Sequence, residues 1–77
     1  MDINEFVDNF ASVFDETPRD QFTPETNFRD IAEWSSLVAL SVIAVVDEEY
    51  AVTLTGDDIR GSNTIKDLFE KVVSKQK

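Results

Sequence analysis

The sequence predicts an all-α fold: a bundle of three main helices plus one short helix, in a single domain spanning residues 1–77. Three observations lead there. Apolar residues recur at i, i+3, i+4 and i+7 near both ends of the chain. The central run from Ser35 to Tyr50 contains neither Gly nor Pro. No convincing partner strand exists for its β-branched residues, apart from the short Ala51 to Leu54.

The first helix is read from Ile3 to Asp15. Asp2 and Glu5 have capping-box-like spacing at its start. Ile3, Phe6, Val7, Phe10, Val13 and Phe14 form its apolar stripe, and the Phe residues are read as core. Thr17 to Trp34 breaks the pattern with Pro18 and Pro24 and with turn residues Thr23, Thr26 and Asn27. Phe22, Phe28 and Ile31 are spread through it, so a long loop pinned to the core is expected. Loops of this length are uncommon in small domains, and those that occur often carry function.

The second helix runs from Ser35 to Tyr50. At about 100° per residue, Ala39, Val42, Ile43, Val46 and Tyr50 fall in one arc and form the expected core stripe. Leu37, Ser41, Ala44 and Glu48 lie opposite, flanked by Val38 and Val45. The helix is thus apolar on more than one face near its start. Burial on several sides explains this, and so does an exposed docking strip. Thr55-Gly56 marks a turn, and Asp57 to Arg60 forms one helical turn before Gly61. Thr64 and Asp67 cap a last helix with Ile65, Leu68, Phe69, Val72 and Val73 on its apolar face. Lys71 and Lys75 suit the negative end of its dipole, and fraying is expected from Ser74 onward.

Composition narrows the function. The chain has no His and no Cys, which excludes nucleophile–His catalysis, His-based metal sites and disulfides. Asp57-Asp58 lacks the spacing of a calcium loop. An enzyme is therefore not expected, nor a metal. Net charge is −9 and the isoelectric point about 4.1, a field that repels nucleic acid and anionic membranes and attracts basic protein surfaces. Met1 to Trp34 carries nine acids and two Arg, net −7; the remainder carries seven acids and five bases, net −2. A solvated acidic surface that maintains solubility explains the charge equally well. Met1-Asp2 is not followed by a basic and then an apolar run, and Leu37 to Val46 is too short to span a bilayer. The expected location is cytoplasmic.

The order helix, long loop, helix, short helix, helix resembles the acyl carrier protein family. The sharpest part of the resemblance is Trp34-Ser35-Ser36-Leu37, continuing through Val38 to Val46 into Asp47-Glu48-Glu49-Tyr50. Tyr50-Ala51-Val52-Thr53-Leu54 also looks like the family's exit from this helix. The family places an acid, then Ser, then Leu at the start of its second helix. By that match Ser36 is the attachment residue for a covalent 4′-phosphopantetheine, whose thiol carries an acyl group as a thioester. The usual acid is Ser35 here. Two Ser before a helix are also what a plain N-cap pair looks like.

The resemblance implies a monomer whose partners are a phosphopantetheinyl transferase and acyl-transferring or synthase enzymes with basic docking patches. Leu37, Val38, Ala44, Asp47 and Glu48 are the expected partner-binding residues, on the accessible side of the second helix. The competing reading is an unmodified acidic module that binds a basic protein surface.

Overall fold

The computed structural model describes residues 2–76. Four helices follow in order: α1 Ile3–Ala11, α2 Ser36–Tyr50, α3 Gly56–Arg60 and α4 Ile65–Lys75. Two short 3₁₀ turns, Arg19–Gln21 and Phe28–Asp30, lie in the long loop. Among the described residues there is no strand, only an isolated bridge between Asn27 and Thr64. The predicted all-α bundle with three main helices and one short one is the fold observed.

Asp2 caps α1 by accepting from the Asn4 N–H at 3.0 Å. The helix stops at Ala11, four residues before the expected end at Asp15. Ser12 Oγ donates to Asn9 O at 2.6 Å, a local alternative to helical bonding. The next turns tighten, with Phe14 N–H bonding Ala11 O at 3.0 Å. Phe14 is still buried, which explains why periodicity alone extended the helix too far.

The long loop is pinned as expected. Phe22 and Phe28 are buried, and Ile31 is half-buried. Two backbone bonds clip it to α4: Ile65 N–H to Thr26 O at 3.1 Å and Lys66 N–H to Pro24 O at 2.8 Å. These carbonyls satisfy donors that a helix start otherwise leaves unpaired.

Ser35 is extended and caps α2, its hydroxyl accepting from Val38 N–H at 3.2 Å. At the other end Ala51 adopts φ 55°, ψ 37°, a left-handed cap whose N–H reaches Asp47 O at 3.0 Å. Tyr50 OH accepts from Asn9 Nδ2 at 2.8 Å and ties this end to α1. Capping boxes start α3 (Thr55 with Asp58) and α4 (Thr64 with Asp67). The Thr55 N–H, helped by Lys75 at 3.3 Å, holds the Asp58 carboxyl below its ordinary value. Helix α4 continues through Ser74 to Lys75, beyond the expected start of fraying, and Val73 is 42% exposed rather than on the buried stripe.

The core joins Phe6, Val7 and Phe10 of α1 to Val42 and Val46 of α2, Ile59 of α3, and Ile65, Leu68 and Val72 of α4. Trp34 closes one end, stacked on Phe10 with ring centroids 6.3 Å apart and tilted against Phe28 at 4.8 Å. Truncating a buried Phe to Ala costs about 3–5 kcal/mol. That is comparable to the whole net stability of so small a domain. The position of the start of α2 therefore depends on this aromatic cluster.

Candidate functional site

Ser36 is the first residue of α2, and it is exposed. The two adjacent Ser residues divide the work. Ser35 is the cap, its hydroxyl turned to the helix backbone, whereas Ser36 Oγ has no hydrogen-bond partner among the described residues. Unpaired N–H groups and the positive end of the helix dipole lie at this point, where a phosphodiester anion is favoured.

Beside Ser36 lies a cleft of about 490 Å³ between α2 and α3. Trp34, Ala39, Leu40, Ile43 and Ile59 supply its apolar lining. Its polar lining is Ser36 with the Arg29 and Arg60 side chains. Arg60 pairs with Asp57 in the turn of α3. Arg29 donates through Nη2 to the carbonyls of Arg60, at 3.0 Å, and of Ser62. Its guanidinium carbon lies 5.8 Å from the centre of the Phe28 ring. The fully buried Ser62 donates from Oγ to Asp58 O at 2.9 Å, which fixes the loop that holds Arg29.

Of the residues expected to face partners, Leu37 is 74% exposed, and Ala44, Asp47 and Glu48 are exposed as well. Val38 differs from that expectation. It is half-buried against the core, because it flanks the Val42 stripe one turn earlier. Ala39 and Ile43 were expected inside, yet they are only half-buried, since the cleft opens over them. Leu40, at 62% exposed, was not singled out in the sequence. Its place one turn beyond Ser36 and three residues from Leu37 was the available signal.

A second feature absent from the sequence reading holds the approach to Ser36. Glu33 accepts from the backbone N–H of Asp15 at 2.7 Å, of Glu16 at 3.1 Å and of Thr17 at 3.1 Å, and from the Thr17 hydroxyl at 2.8 Å. One carboxylate thus closes the turn after α1 onto the segment leading into α2.

Among the described residues no group of three or more His, Cys, Asp or Glu side chains could hold a metal ion, and no helix is long and apolar enough to cross a membrane. The site offers a free, exposed hydroxyl at a helix start, an adjacent cleft and a neighbouring apolar and acidic helix face. The hydroxyl is open to esterification, and among the described residues lining the cleft there is no carboxylate or imidazole to serve as its base.

No curated protein and no solved structure matches the chain. A family model described as a phosphopantetheine attachment site matches residues 4–72, from the first turn of α1 to the last turns of α4. The chain therefore belongs to the phosphopantetheine-binding carrier family, whose members are non-catalytic carriers of a covalently attached 4′-phosphopantetheine.

Proposed function

We propose that this chain is an acyl carrier protein that holds its 4′-phosphopantetheine on Ser36 and delivers a thioester-bound acyl group to partner enzymes. The observation that carries the reading is the division of labour at the start of α2: Ser35 is engaged as the cap, and Ser36 is exposed and free. Ser36 Oγ would form a bond to the β-phosphorus of coenzyme A. Adenosine 3′,5′-bisphosphate leaves, and the hydroxyl proton passes to a base on the transferase. The attached group then supplies a terminal thiol, which this chain lacks because it has no Cys.

The chain's own residues position the arm and present it. Leu37, Leu40 and Ala44 offer apolar contact beside Ser36, and Asp47 and Glu48 steer basic partner surfaces toward it. The partners are a phosphopantetheinyl transferase and acyl-transferring or synthase enzymes, met by a cytoplasmic monomer. The carrier domain is taken as the whole of residues 1–77.

The test is incubation with coenzyme A, Mg²⁺ and a broad-specificity transferase, read by intact mass. One prosthetic group should add to the wild type and to Ser35→Ala, and none to Ser36→Ala. Addition that survives Ser36→Ala would refute the assignment. Failure of both the wild type and Ser35→Asp would favour the unmodified acidic module.

A further inference from the structure

We propose that the cleft between α2 and α3 selects cargo ending in a carboxylate, with Arg29 as the partner of that carboxylate. The proposal rests on attachment at Ser36, which lines the same cleft.

The charge distribution is the first ground. The chain has 16 acids and only 7 basic residues, yet no Asp or Glu among the described residues lines this cleft, while two Arg do. Over the rest of the surface an anionic cargo meets a repulsive field. Here Asp57 offsets Arg60, which leaves Arg29 as the lining charge without a carboxylate among the described residues.

The state of Arg29 is the second. Arg19 pairs with Asp8 and Arg60 with Asp57, whereas Arg29 has no carboxylate partner among the described residues. Nor is it a loosely tethered cation. Both of its backbone bonds pass through Nη2, to Arg60 O and Ser62 O, and the guanidinium lies by the Phe28 ring. Its Nε–H and Nη1–H groups have no acceptor among the described residues. Every edge of the guanidinium that gives two parallel bonds includes Nη2, which the two carbonyls occupy. A carboxylate here therefore takes single charge-assisted bonds from Nε–H or Nη1–H.

The third is the apolar lining from Leu40, Ile43 and Ile59, which suits the methylenes between thioester and carboxylate. A purely aliphatic acyl group would fill that lining but gain nothing from Arg29. An aminoacyl group would bring its ammonium toward a like charge. The cargo class that matches both features is the monothioester of a short dicarboxylic acid. The arm must fold back from Ser36 to place it.

The experiment compares glutaryl with pentanoyl groups, which have the same five-carbon backbone and differ in the terminal carboxylate. In one arm S-glutaryl- and S-pentanoyl-pantetheine are titrated into the unmodified protein. In the other, the matching coenzyme A thioesters are used to load it. The readouts are the Arg29 Nε–H resonance and the rate of thioester cleavage by hydroxylamine, relative to the free thioesters. The glutaryl group should shift the Arg29 resonance and be protected several-fold more than the pentanoyl group. Arg29→Gln should erase the difference. Because Arg29 also braces the Ser62 loop, Leu40→Glu serves as a second variant. It sets a carboxylate at the cleft from an exposed position and should likewise erase the preference. An equal Arg29 shift in both loaded forms would overturn the proposal and make the phosphodiester the anion that is held. Absence of any shift, bound or loaded, would also overturn it. Failure to load would refute attachment at Ser36, and the unattached thioesters would still decide whether the cleft selects a carboxylate.

Discussion

Glu33 grips Thr17 twice, through the backbone N–H at 3.1 Å and the side-chain hydroxyl at 2.8 Å. Partial desolvation pushes the Glu33 carboxyl up, but the Thr17 hydroxyl and the N–H groups of Asp15, Glu16 and Thr17 together hold it below the ordinary value of 4.5. A carboxyl with a depressed folded pKa stabilises the fold above its unfolded value and loses that contribution as pH falls through the folded pKa. Glu33→Gln should therefore unfold at lower urea than the wild type at pH 7. The gap should narrow as pH drops below about 4.5. Urea midpoints measured across that range check it. A gap that does not change with pH would show that the ionised form is not what matters.

The division of roles between Ser35 and Ser36 has a stability signature. Ser35→Ala should cost about 1 kcal/mol, because the Val38 N–H loses its acceptor. Ser36→Ala should stay within about 0.5 kcal/mol, since an exposed hydroxyl without partners contributes little. Ser35→Asp keeps a capping oxygen and should be close to wild type. It should also be modified faster if the acid that usually precedes the attachment residue is what the transferase reads. Equal costs for the two Ala variants would contradict the cap assignment.

Ala51 is the described residue other than Gly that has a positive φ. A left-handed Ala carries a steric cost of about 1–2 kcal/mol, part of which Gly recovers against its larger unfolded-state entropy. Ala51→Gly should raise stability by about 0.5–1 kcal/mol in a thermal melt. A loss of stability would mean that the Ala51 methyl contributes packing not evident from its exposed position.

Docking should separate into a charge part and an apolar part. Glu48→Lys should slow association with the transferase, and the effect should fade with added salt, which screens exposed charges over about 8 Å at physiological ionic strength. Leu37→Ala should instead speed dissociation and depend little on salt. Stopped-flow rates at low and high ionic strength distinguish them. A salt-independent Glu48→Lys defect would remove the steering role.

The sequence was most legible where local chemistry and long-range packing agree. The Thr64–Asp67 cap, the Ser35 cap and the anchoring of Phe22 and Phe28 followed from residue types and spacing. The end of α1 did not, because a carboxylate sixteen residues or more away recruits the N–H groups of residues 15–17. Leu40 and the cleft were missed for a related reason. Periodicity gives the faces of α2, but the gap beside Ala39 and Ile43 depends on where α3 lies. Arg29 lies in the loop that the apolar pattern leaves blank, and backbone carbonyls more than thirty residues away set its position.

Trp34 is the chain's single tryptophan. It stacks on Phe10 in the core and also lines the cleft beside Ser36. One indole is thus an intrinsic optical reporter with two sensitivities. Its emission should move to longer wavelength when the aromatic cluster comes apart. It should change in intensity, without that shift, when something enters the cleft. Unfolding and cargo docking can then be followed separately in one cuvette, without a label.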